Sequence, residues 1–186
     1  MKNIHLYYGY GKGKTTAVIG LAIRALGAGQ RVAMVQFDKG YDGQNEHYSE
    51  RNILRKLASL GYPVKLFPTG CERMNADGTF RFGNQGQDLM EAKRALEKSK
   101  ELIENGALDL LILDEGLAAT AYHLIQKEDL MAVIELYEQQ NRPCELVISG
   151  HKIWPEIEAK ADLITEMRKV KHYFDEGVPA RLGIEF

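Results

Sequence analysis

The sequence contains few cysteines and no long apolar run, and each of these absences excludes a class of protein. Its two cysteines, Cys71 and Cys144, are too few for a disulfide framework and lack the spacing of metal ligands. We therefore expect a protein of the reducing cytoplasm. No segment approaches the roughly 18 consecutive apolar residues of a membrane span, and the N-terminus lacks the apolar stretch of a signal peptide. We expect no contact with a membrane.

The chain also lacks blocks of like charge. Its 24 basic and 26 acidic residues leave a net charge of −2, without the basic stripe that binds nucleic acid. We therefore expect no nucleic-acid partner. A chain of this length matches one domain and can bury roughly 70% of the surface that its unfolded form exposes. We predict a single domain over residues 1–186.

Short aliphatic runs alternate with longer segments of helical period, which is typical of strand and helix units around a mainly parallel sheet. The pattern predicts about six strands, over residues 4–8, 31–37, 64–67, 108–113, 145–149 and 163–167. It predicts helices over residues 14–26, 51–60, 87–104 and 130–140. Residues 169–186 are expected to fold back as a short strand over the sheet edge. The fold class is therefore α/β.

The segment GYGKGKTT, residues 9–16, has the composition of a phosphate-binding loop between a strand and a helix. Its glycines permit backbone N–H groups to approach phosphates, and the helix N-terminus adds further donors. Lys14 is expected to reach the terminal phosphates, and the Thr15 hydroxyl to bind Mg²⁺. The alternative is a glycine-rich turn that only joins strand and helix. The predicted nucleotide-binding residues are Gly9, Tyr10, Gly11, Lys12, Gly13, Lys14, Thr15 and Thr16.

One position of this loop departs from the standard Walker A spacing. Tyr8 stands where that spacing has its first glycine, five residues before the final Gly-Lys-Thr. The first glycine mostly relieves crowding at the turn, whereas the phosphate donors come from later residues. We therefore expect nucleotide binding in spite of Tyr8.

A pair of carboxylates follows the most apolar strand. Residues 108–113 form an almost unbroken apolar run, as a central parallel strand does, and Asp114 and Glu115 come directly after it. Carboxylates at this point of a nucleotide-binding fold hold Mg²⁺ directly or through water. The alternative is that Asp114 caps the following helix. The predicted metal ligands are thus Thr15, Asp114 and Glu115.

Together these segments resemble the P-loop ATP:corrinoid adenosyltransferases. That family has the loop Gly-any-Gly-Lys-Gly-Lys-Thr-Thr, which residues 9–16 match throughout, and it too lacks the earlier glycine. The segments GLAIRALGAGQRVAMVQFDKG, LDLLILDE, RPCELVISG and EIEAKADLITEMRKVKHYFDEGVPARLGIEF are similar to the family as well. The resemblance implies a three-layer, RecA-like P-loop fold.

The resemblance also implies the chemistry. In the family, a reduced Co(I) corrinoid attacks the 5′ carbon of ATP and expels triphosphate, so catalysis rests on positioning and electrostatics. ATP lies in reverse, with its γ-phosphate where an α-phosphate normally lies. The implied catalytic residues are Lys12, Lys14 and Glu115, and Lys39, in the family's Gln-Phe-any-Lys-Gly, would contact the nucleotide. The implied cofactor is Mg²⁺, the implied assembly is a homodimer, and the reductant would be a flavoprotein.

The match is weakest in the loop over residues 69–86, where the family has a Phe-Thr-Trp segment at the corrinoid. Phe80 and Phe82 are the aromatic residues of this loop. One hypothesis places them beside the lower face of the cobalt, and the other has them anchor the loop to the core. The altered loop leaves two other functions open: a phosphotransferase or NTPase with a different acceptor, and a non-catalytic protein that binds ATP or corrinoid.

Overall fold

The computed structural model describes residues 2–40, 46–73, 75, 81–105 and 107–185. Its strands are β1 (Ile4–Tyr8), β2 (Val32–Gln36), β3 (Val64–Pro68), β4 (Leu110–Asp114), β5 (Glu145–Gly150) and β6 (Leu163–Glu166). Its α-helices are α1 (Lys14–Gly27), α2 (Ser49–Ser59), α3 (Gly86–Glu104), α4 (Gly116–Ala121), α5 (Lys127–Gln139) and α6 (Pro155–Glu158). Among the helices of the described residues, none has both the length and the apolar character needed to cross a membrane.

The six strands form one parallel sheet in the order β3-β2-β4-β5-β1-β6. Strand β5 separates β1, which leads into the glycine-rich loop, from β4, which ends in Asp114. The strands are aligned so that their carboxyl ends lie side by side: Tyr8 of β1 is opposite Gly150 of β5, and Gln36 of β2 is opposite Asp114 of β4. This architecture confirms the predicted RecA-like α/β fold, and such sheets bind ligands at their carboxyl edge.

Two apolar layers enclose the sheet, one on each face. Along β4, Leu111 and Leu113 belong to one layer, while Leu110 and Ile112 belong to the other. Both faces of the strand are covered by helices, which explains why its sequence is apolar without alternation. Helices α3, α4 and α5 contribute to the first layer, and α1 and α2 to the second. The predicted apolar face of α5, namely Leu130, Val133, Ile134 and Tyr137, is buried as expected.

Three differences from the sequence prediction have local causes. Helix α5 begins earlier than predicted because Gln126 and Asp129 form a capping box at its start. The short helices α4 and α6 were not predicted, since neither is long enough to present a helical period.

The predicted C-terminal strand is wrong. Instead, a 3₁₀ helix covers Tyr173–Glu176, and turns follow it up to residue 185. Gly177 and Gly183 have positive φ angles, which reverse the chain direction where a strand would need extended backbone.

Candidate active site

The loop between β1 and α1 turns at Gly9 and Gly13, each with φ of 116°. A Cβ atom at Gly9 or Gly11 would lie 2.5 Å from the carbonyl oxygen of Met167, just beyond β6. The Gly11 N–H donates to that carbonyl at 2.7 Å, and the Gly9 N–H donates to the carbonyl of Gly150 at 3.1 Å. These two glycines therefore permit the loop to pack against neighbouring strand ends, and phosphate donors must come from later residues.

Those donors lie at the start of α1. The first intrahelical bond runs from the Ala17 N–H to the Gly13 carbonyl, so the N–H groups of residues 14–16 precede the helical ladder. The Lys14 ammonium bends back across the loop and donates to the Gly11 carbonyl at 3.0 Å. Burial lowers the pKa of Lys14, and the charges of Glu115 and Asp114 oppose that effect. The predicted loop thus has the donors and charge of an anion site.

Tyr8 lies at the end of β1 and not in the loop. Its backbone pairs with Gly150 of β5 and with Glu166 of β6. Its half-buried ring packs against the core. The position that normally holds a glycine is therefore a strand residue with a packing role.

We expect Tyr8→Gly, which restores the standard Walker A spacing, to reduce the free energy of unfolding by about 2 kcal/mol without improving ATP binding. The loss combines the packing of a half-buried aromatic ring with the conformational cost of glycine in a strand. Urea unfolding measures the first effect and calorimetric ATP titration the second. Tyr8→Phe, which retains the ring, is the control and should remain close to wild type. Tighter ATP binding by Tyr8→Gly at unchanged stability would contradict this account.

Asp114 is the most highly connected acid of the site and is fully buried. Its Oδ1 accepts hydrogen bonds from Ser149 Oγ at 2.7 Å and Thr15 Oγ1 at 3.1 Å. Its Oδ2 accepts from Lys39 Nζ at 2.7 Å and Gln36 Nε2 at 3.3 Å. Burial alone would raise the pKa of Asp114, but Lys39 and these hydrogen bonds outweigh it and hold the pKa below its usual value. Asp114 is thus kept as a carboxylate.

Glu115 adopts a left-handed backbone conformation, with φ of 62°, at the N-cap of α4. Its backbone N–H donates a hydrogen bond to Ser149 Oγ at 2.9 Å. Burial and the neighbouring charge of Asp114 raise the pKa of the Glu115 carboxyl group. Because Glu115 is the N-cap, the alternative role of Asp114 as a helix cap is excluded. A half-buried acid with a left-handed backbone next to a second acid is typical of functional sites.

Lys39 lies deeper than the sequence predicts. Its ammonium contacts Thr15 Oγ1 at 2.9 Å, Asp114 Oδ2 at 2.7 Å and Glu50 Oε1 at 3.7 Å. Burial alone would lower the pKa of Lys39, but the charges of Asp114, Glu115 and Glu50 raise it. Its ammonium therefore contacts two of the predicted metal ligands, Thr15 and Asp114. The predicted contact between Lys39 and the nucleotide stays a prediction.

A polar network that the sequence analysis missed supports these groups. The fully buried Arg51 donates to Gln36 Oε1 at 2.6 Å and to the carbonyl of Lys39. The Gln36 amide in turn donates to Glu50 Oε1 at 3.2 Å. One signal was available in the sequence, because Gln36 interrupts an apolar strand at its carboxyl end.

Three of the predicted site residues are exposed to solvent: Lys12, Tyr10 and Phe82. The Lys12 ammonium turns away from the loop, donating to the Ile184 carbonyl at 2.9 Å and pairing with Glu185 at 3.4 Å. Tyr10 is 75% exposed and Phe82 is 86% exposed. Phe82 therefore does not anchor its loop in the core. Phe80 lies outside the described residues, so its predicted role stays a prediction.

Two cavities open at the carboxyl edge of the sheet. One of about 410 Å³ is lined by Thr15, Thr16 and Glu115, with residues 183–185 as part of its wall. A second, of about 190 Å³, shares Glu115 and adds Tyr122 and His151. The predicted residues Thr15, Thr16 and Glu115 thus face a common space large enough for part of a nucleotide.

His151 is a further residue that the sequence analysis missed. Its ring stacks on that of Tyr10, with centroids 5.4 Å apart, and its Nδ1 shares a hydrogen bond of 2.8 Å with the Tyr122 hydroxyl. Burial and the charge of Lys14 lower its pKa, which favours a neutral ring. The three rings form an aromatic wall beside the phosphate loop. Their separation along the chain explains why no local motif indicated it.

The oxygen atoms around Lys39 suit a hard cation such as Mg²⁺. A hydroxyl from Thr15 and carboxylates from Asp114 and Glu50 already surround a positively charged nitrogen. Among the described residues, no three His, Cys, Asp or Glu side chains form a complete metal-binding cluster. This is compatible with Mg²⁺, which usually takes one or two carboxylates and completes its shell with phosphates and water.

Comparisons with known proteins agree with this geometry. A family model described as ATP:corrinoid adenosyltransferase BtuR/CobO/CobP matches residues 1–186. The corrinoid adenosyltransferase of Escherichia coli (strain K12) is 32% identical over 183 residues, which cover 98% of this chain and 85% of that protein. The corrinoid adenosyltransferase CobA of Salmonella typhimurium is 31% identical, with the same coverage of 98% and 85%. A corrinoid adenosyltransferase of Pseudomonas aeruginosa is 30% identical, covering 97% of this chain and 82% of its own. Since the family model matches residues 1–186 and these relatives align over nearly the whole chain, this chain belongs to the ATP:corrinoid adenosyltransferase family.

Proposed function

We infer that this protein transfers the 5′-deoxyadenosyl group of ATP to the Co(I) of a reduced corrinoid and releases triphosphate. The observation that carries this inference is the family match over residues 1–186. The site supports it, because a phosphate loop lies beside a buried, ionised aspartate. Co(I) is itself a strong nucleophile, so the reaction needs no general base, and the site has to position ATP and neutralise charge.

We propose that the start of α1 and Lys14 bind the triphosphate. Negative charge becomes concentrated on the triphosphate as its bond to the 5′ carbon breaks. The buried Lys14 ammonium and the N–H groups of residues 14–16 are preorganised to stabilise that charge. Thr15, Asp114 and Glu115 are the residues proposed to hold Mg²⁺, which would supply further charge neutralisation. Lys12, at the rim, would add a weaker and more exposed charge.

We place the adenosyl end of ATP in the cavity beside Tyr122 and His151, and the corrinoid on the side of Phe82. A third cavity, of about 330 Å³, is lined by Phe82, Arg73 and Tyr122. Tyr122 therefore lines both cavities, which adjoin at its side chain. A reaction that joins a nucleoside to a large, apolar macrocycle requires two such adjoining spaces. The exposed Phe82 ring would supply apolar contact to the corrinoid.

One anaerobic assay tests the proposed reaction. ATP, Mg²⁺ and a chemically reduced corrinoid are expected to give an adenosylated corrinoid, detected by its absorption spectrum, and one triphosphate per turnover. The appearance of ADP and phosphate would instead indicate the phosphotransferase or NTPase alternative. Tight binding of ATP and corrinoid without turnover would indicate the non-catalytic alternative.

The domain organisation, assembly and cellular setting are further parts of this proposal. We propose a single domain over residues 1–186 that acts as a homodimer in the cytoplasm and receives electrons from a flavoprotein. The cytoplasmic setting is supported by the two free cysteines, of which Cys144 is buried and Cys71 is half-buried. Light scattering at assay concentrations measures the mass of the assembly, and a monomeric mass would remove the dimer from the proposal.

A further inference from the structure

The ammonium group of Lys39 lies at a point where three elements of the fold bring oxygen atoms together. Thr15 comes from the first turn of α1, Asp114 from the end of β4 and Glu50 from the first turn of α2. Their oxygens lie 2.9, 2.7 and 3.7 Å from Lys39 Nζ. The ring of Tyr48 covers the ammonium, with its centroid 5.2 Å away. Lys39 is thus enclosed as a cation in an oxygen-lined site.

The backbone of Lys39 is held in place, but its side chain is long. The Lys39 N–H donates to the Thr69 carbonyl at 2.9 Å, and its own carbonyl accepts from the Arg51 guanidinium. Movement of the ammonium would therefore come from the four-carbon stem and not from the chain. Such a stem can relocate the charge by several ångströms without disturbing the fold.

Mg²⁺ and the Lys39 ammonium compete for the same oxygens. Mg²⁺ binds oxygen at about 2.0–2.1 Å, and Lys39 Nζ already lies 2.9 Å from Thr15 Oγ1. Two cations on one hydroxyl oxygen would repel each other at short range in a buried site. The oxygens of Asp114 are likewise filled by hydrogen bonds from Ser149, Thr15, Lys39 and Gln36. Direct binding of Mg²⁺ to these oxygens would therefore require the Lys39 ammonium to leave.

The phosphate loop lies next to this site and offers the ammonium a new partner. Thr15 both contacts Lys39 and belongs to the segment whose N–H groups face the proposed triphosphate. A bound triphosphate would add several negative charges within reach of the lysine stem, and phosphate is a good partner for an ammonium group.

We propose that Lys39 is an internal cation that closes the metal site until the triphosphate of ATP draws its ammonium away, so that Mg²⁺ binding depends on nucleotide binding. The inference rests on the proposed function, because it takes Thr15 and Asp114 as metal ligands. Coupling of this kind between two ligands commonly amounts to about 5–150-fold in affinity.

The test uses Mn²⁺ as a spectroscopic substitute for Mg²⁺ and the nucleotide-free protein. Free Mn²⁺ is counted by electron paramagnetic resonance in wild type and in Lys39→Met, which removes the charge but keeps an unbranched side chain. We expect Lys39→Met to bind Mn²⁺ at least about tenfold more tightly than wild type. Adding Asp114→Asn to Lys39→Met should abolish that gain. The matched control is Lys12→Met, which also replaces a lysine by methionine, but in the loop between β1 and α1, where Lys12 contacts Ile184 and Glu185.

A second measurement covers the possibility that Lys39→Met folds poorly, since it leaves Asp114 without its buried cation. Mn²⁺ should raise the thermal unfolding temperature of Lys39→Met and leave that of nucleotide-free wild type unchanged, because a ligand stabilises only the state that binds it. If Lys39→Met does not fold even with Mn²⁺, Lys39→Gln takes its place in both the Mn²⁺ binding and the thermal unfolding measurements, with the same expected results.

Three results would overturn the inference: equal Mn²⁺ affinity in wild type and Lys39→Met, an equal gain in Lys12→Met, or tight binding by nucleotide-free wild type that Asp114→Asn abolishes. None of these measurements uses a corrinoid. A failure of adenosyl transfer with the Mn²⁺ results as expected would therefore contradict the proposed function and leave the role of Lys39 intact.

Discussion

Replacing Lys14 by methionine should lower kcat/KM for adenosyl transfer by about 10²–10³-fold, the usual cost of removing one preorganised group that stabilises developing charge. The Lys14 ammonium is buried and held across the loop by the Gly11 carbonyl, so no water can replace it without disturbing the site. The effect should appear mainly in kcat, because charge on the triphosphate grows as the bond to the 5′ carbon breaks. Corrinoid spectra and triphosphate release, followed anaerobically, measure both constants.

Lys12→Met is the matched control for this prediction. Lys12 belongs to the same loop, but its side chain is 39% exposed and pairs with Glu185 and not with the loop interior. Exposed charges are screened by solvent, so the loss should be far smaller than for Lys14→Met. A Lys14→Met protein that remains within a few-fold of wild type, or a larger loss in Lys12→Met, would show that the ammonium of Lys14 does not stabilise the departing triphosphate.

Asp114→Asn should reduce the free energy of unfolding at neutral pH by about 3–5 kcal/mol, since it leaves Lys39 as a buried charge without its closest counter-ion. The side chain keeps its shape, so lost packing contributes little. The amide group also presents a donor where Lys39 and Gln36 already donate. Urea unfolding followed by circular dichroism measures the change.

The pH dependence of this loss has a definite sign. The pKa of Asp114 lies below that of an unfolded aspartate, so its stabilisation is complete above about pH 4 and declines as the pH falls through the folded pKa. The difference in the free energy of unfolding between wild type and Asp114→Asn should therefore become smaller as the pH falls below about 4. A difference that stays constant from neutral pH down to pH 3 would contradict the role of the ionised carboxylate.

Asp109→Asn is the control for the unfolding experiment on Asp114→Asn, because it makes the same substitution next to the same strand. Asp109 lies just before β4 and accepts three hydrogen bonds from Arg31, which lower its pKa to about 2. Its partner is half exposed, so solvent screens the pair and competes for its hydrogen bonds. We therefore expect Asp109→Asn, just before β4, to reduce the free energy of unfolding only slightly, whereas Asp114→Asn, at the end of β4, reduces it strongly. Equal losses of unfolding free energy in the two variants would contradict the special role of the buried Asp114 carboxylate.

Much of the fold was predictable because its signals are local. The apolar run before Asp114 needed helices on both faces of the sheet, and helices pack on both. The glycine-rich segment between a strand and a helix predicted that Lys14 and Thr15 would lie at a helix start, and α1 begins at Lys14. The motifs predicted that Thr15 and Asp114 bind the same metal ion, and the two side chains are 3.1 Å apart at the carboxyl edge of the sheet. The metal ion itself stays a prediction.

The parts that were missed depend on contacts between distant segments. The C-terminal segment was predicted as a strand from residues 169–186 alone, whereas Glu185 turns back to Tyr173, Arg181 and Lys12. The aromatic wall of Tyr10, Tyr122 and His151 joins three separate loops and has no sequence period. Neither arrangement leaves a pattern in any one window of sequence.

The sequence by itself determined the α/β class, the approximate positions of the strands, the glycine-rich loop between β1 and α1, and the two acids at the end of β4. These follow from local propensity, from the period of apolar residues and from the alternation of strands with helices. Only the tertiary structure decided that Tyr8 is a strand residue with a packing role, that Lys12 turns outward and that Lys39 lies among the predicted metal ligands. The reason is physical: the direction of a long polar side chain depends on which charges the folded chain brings within its reach, and those charges come from other elements.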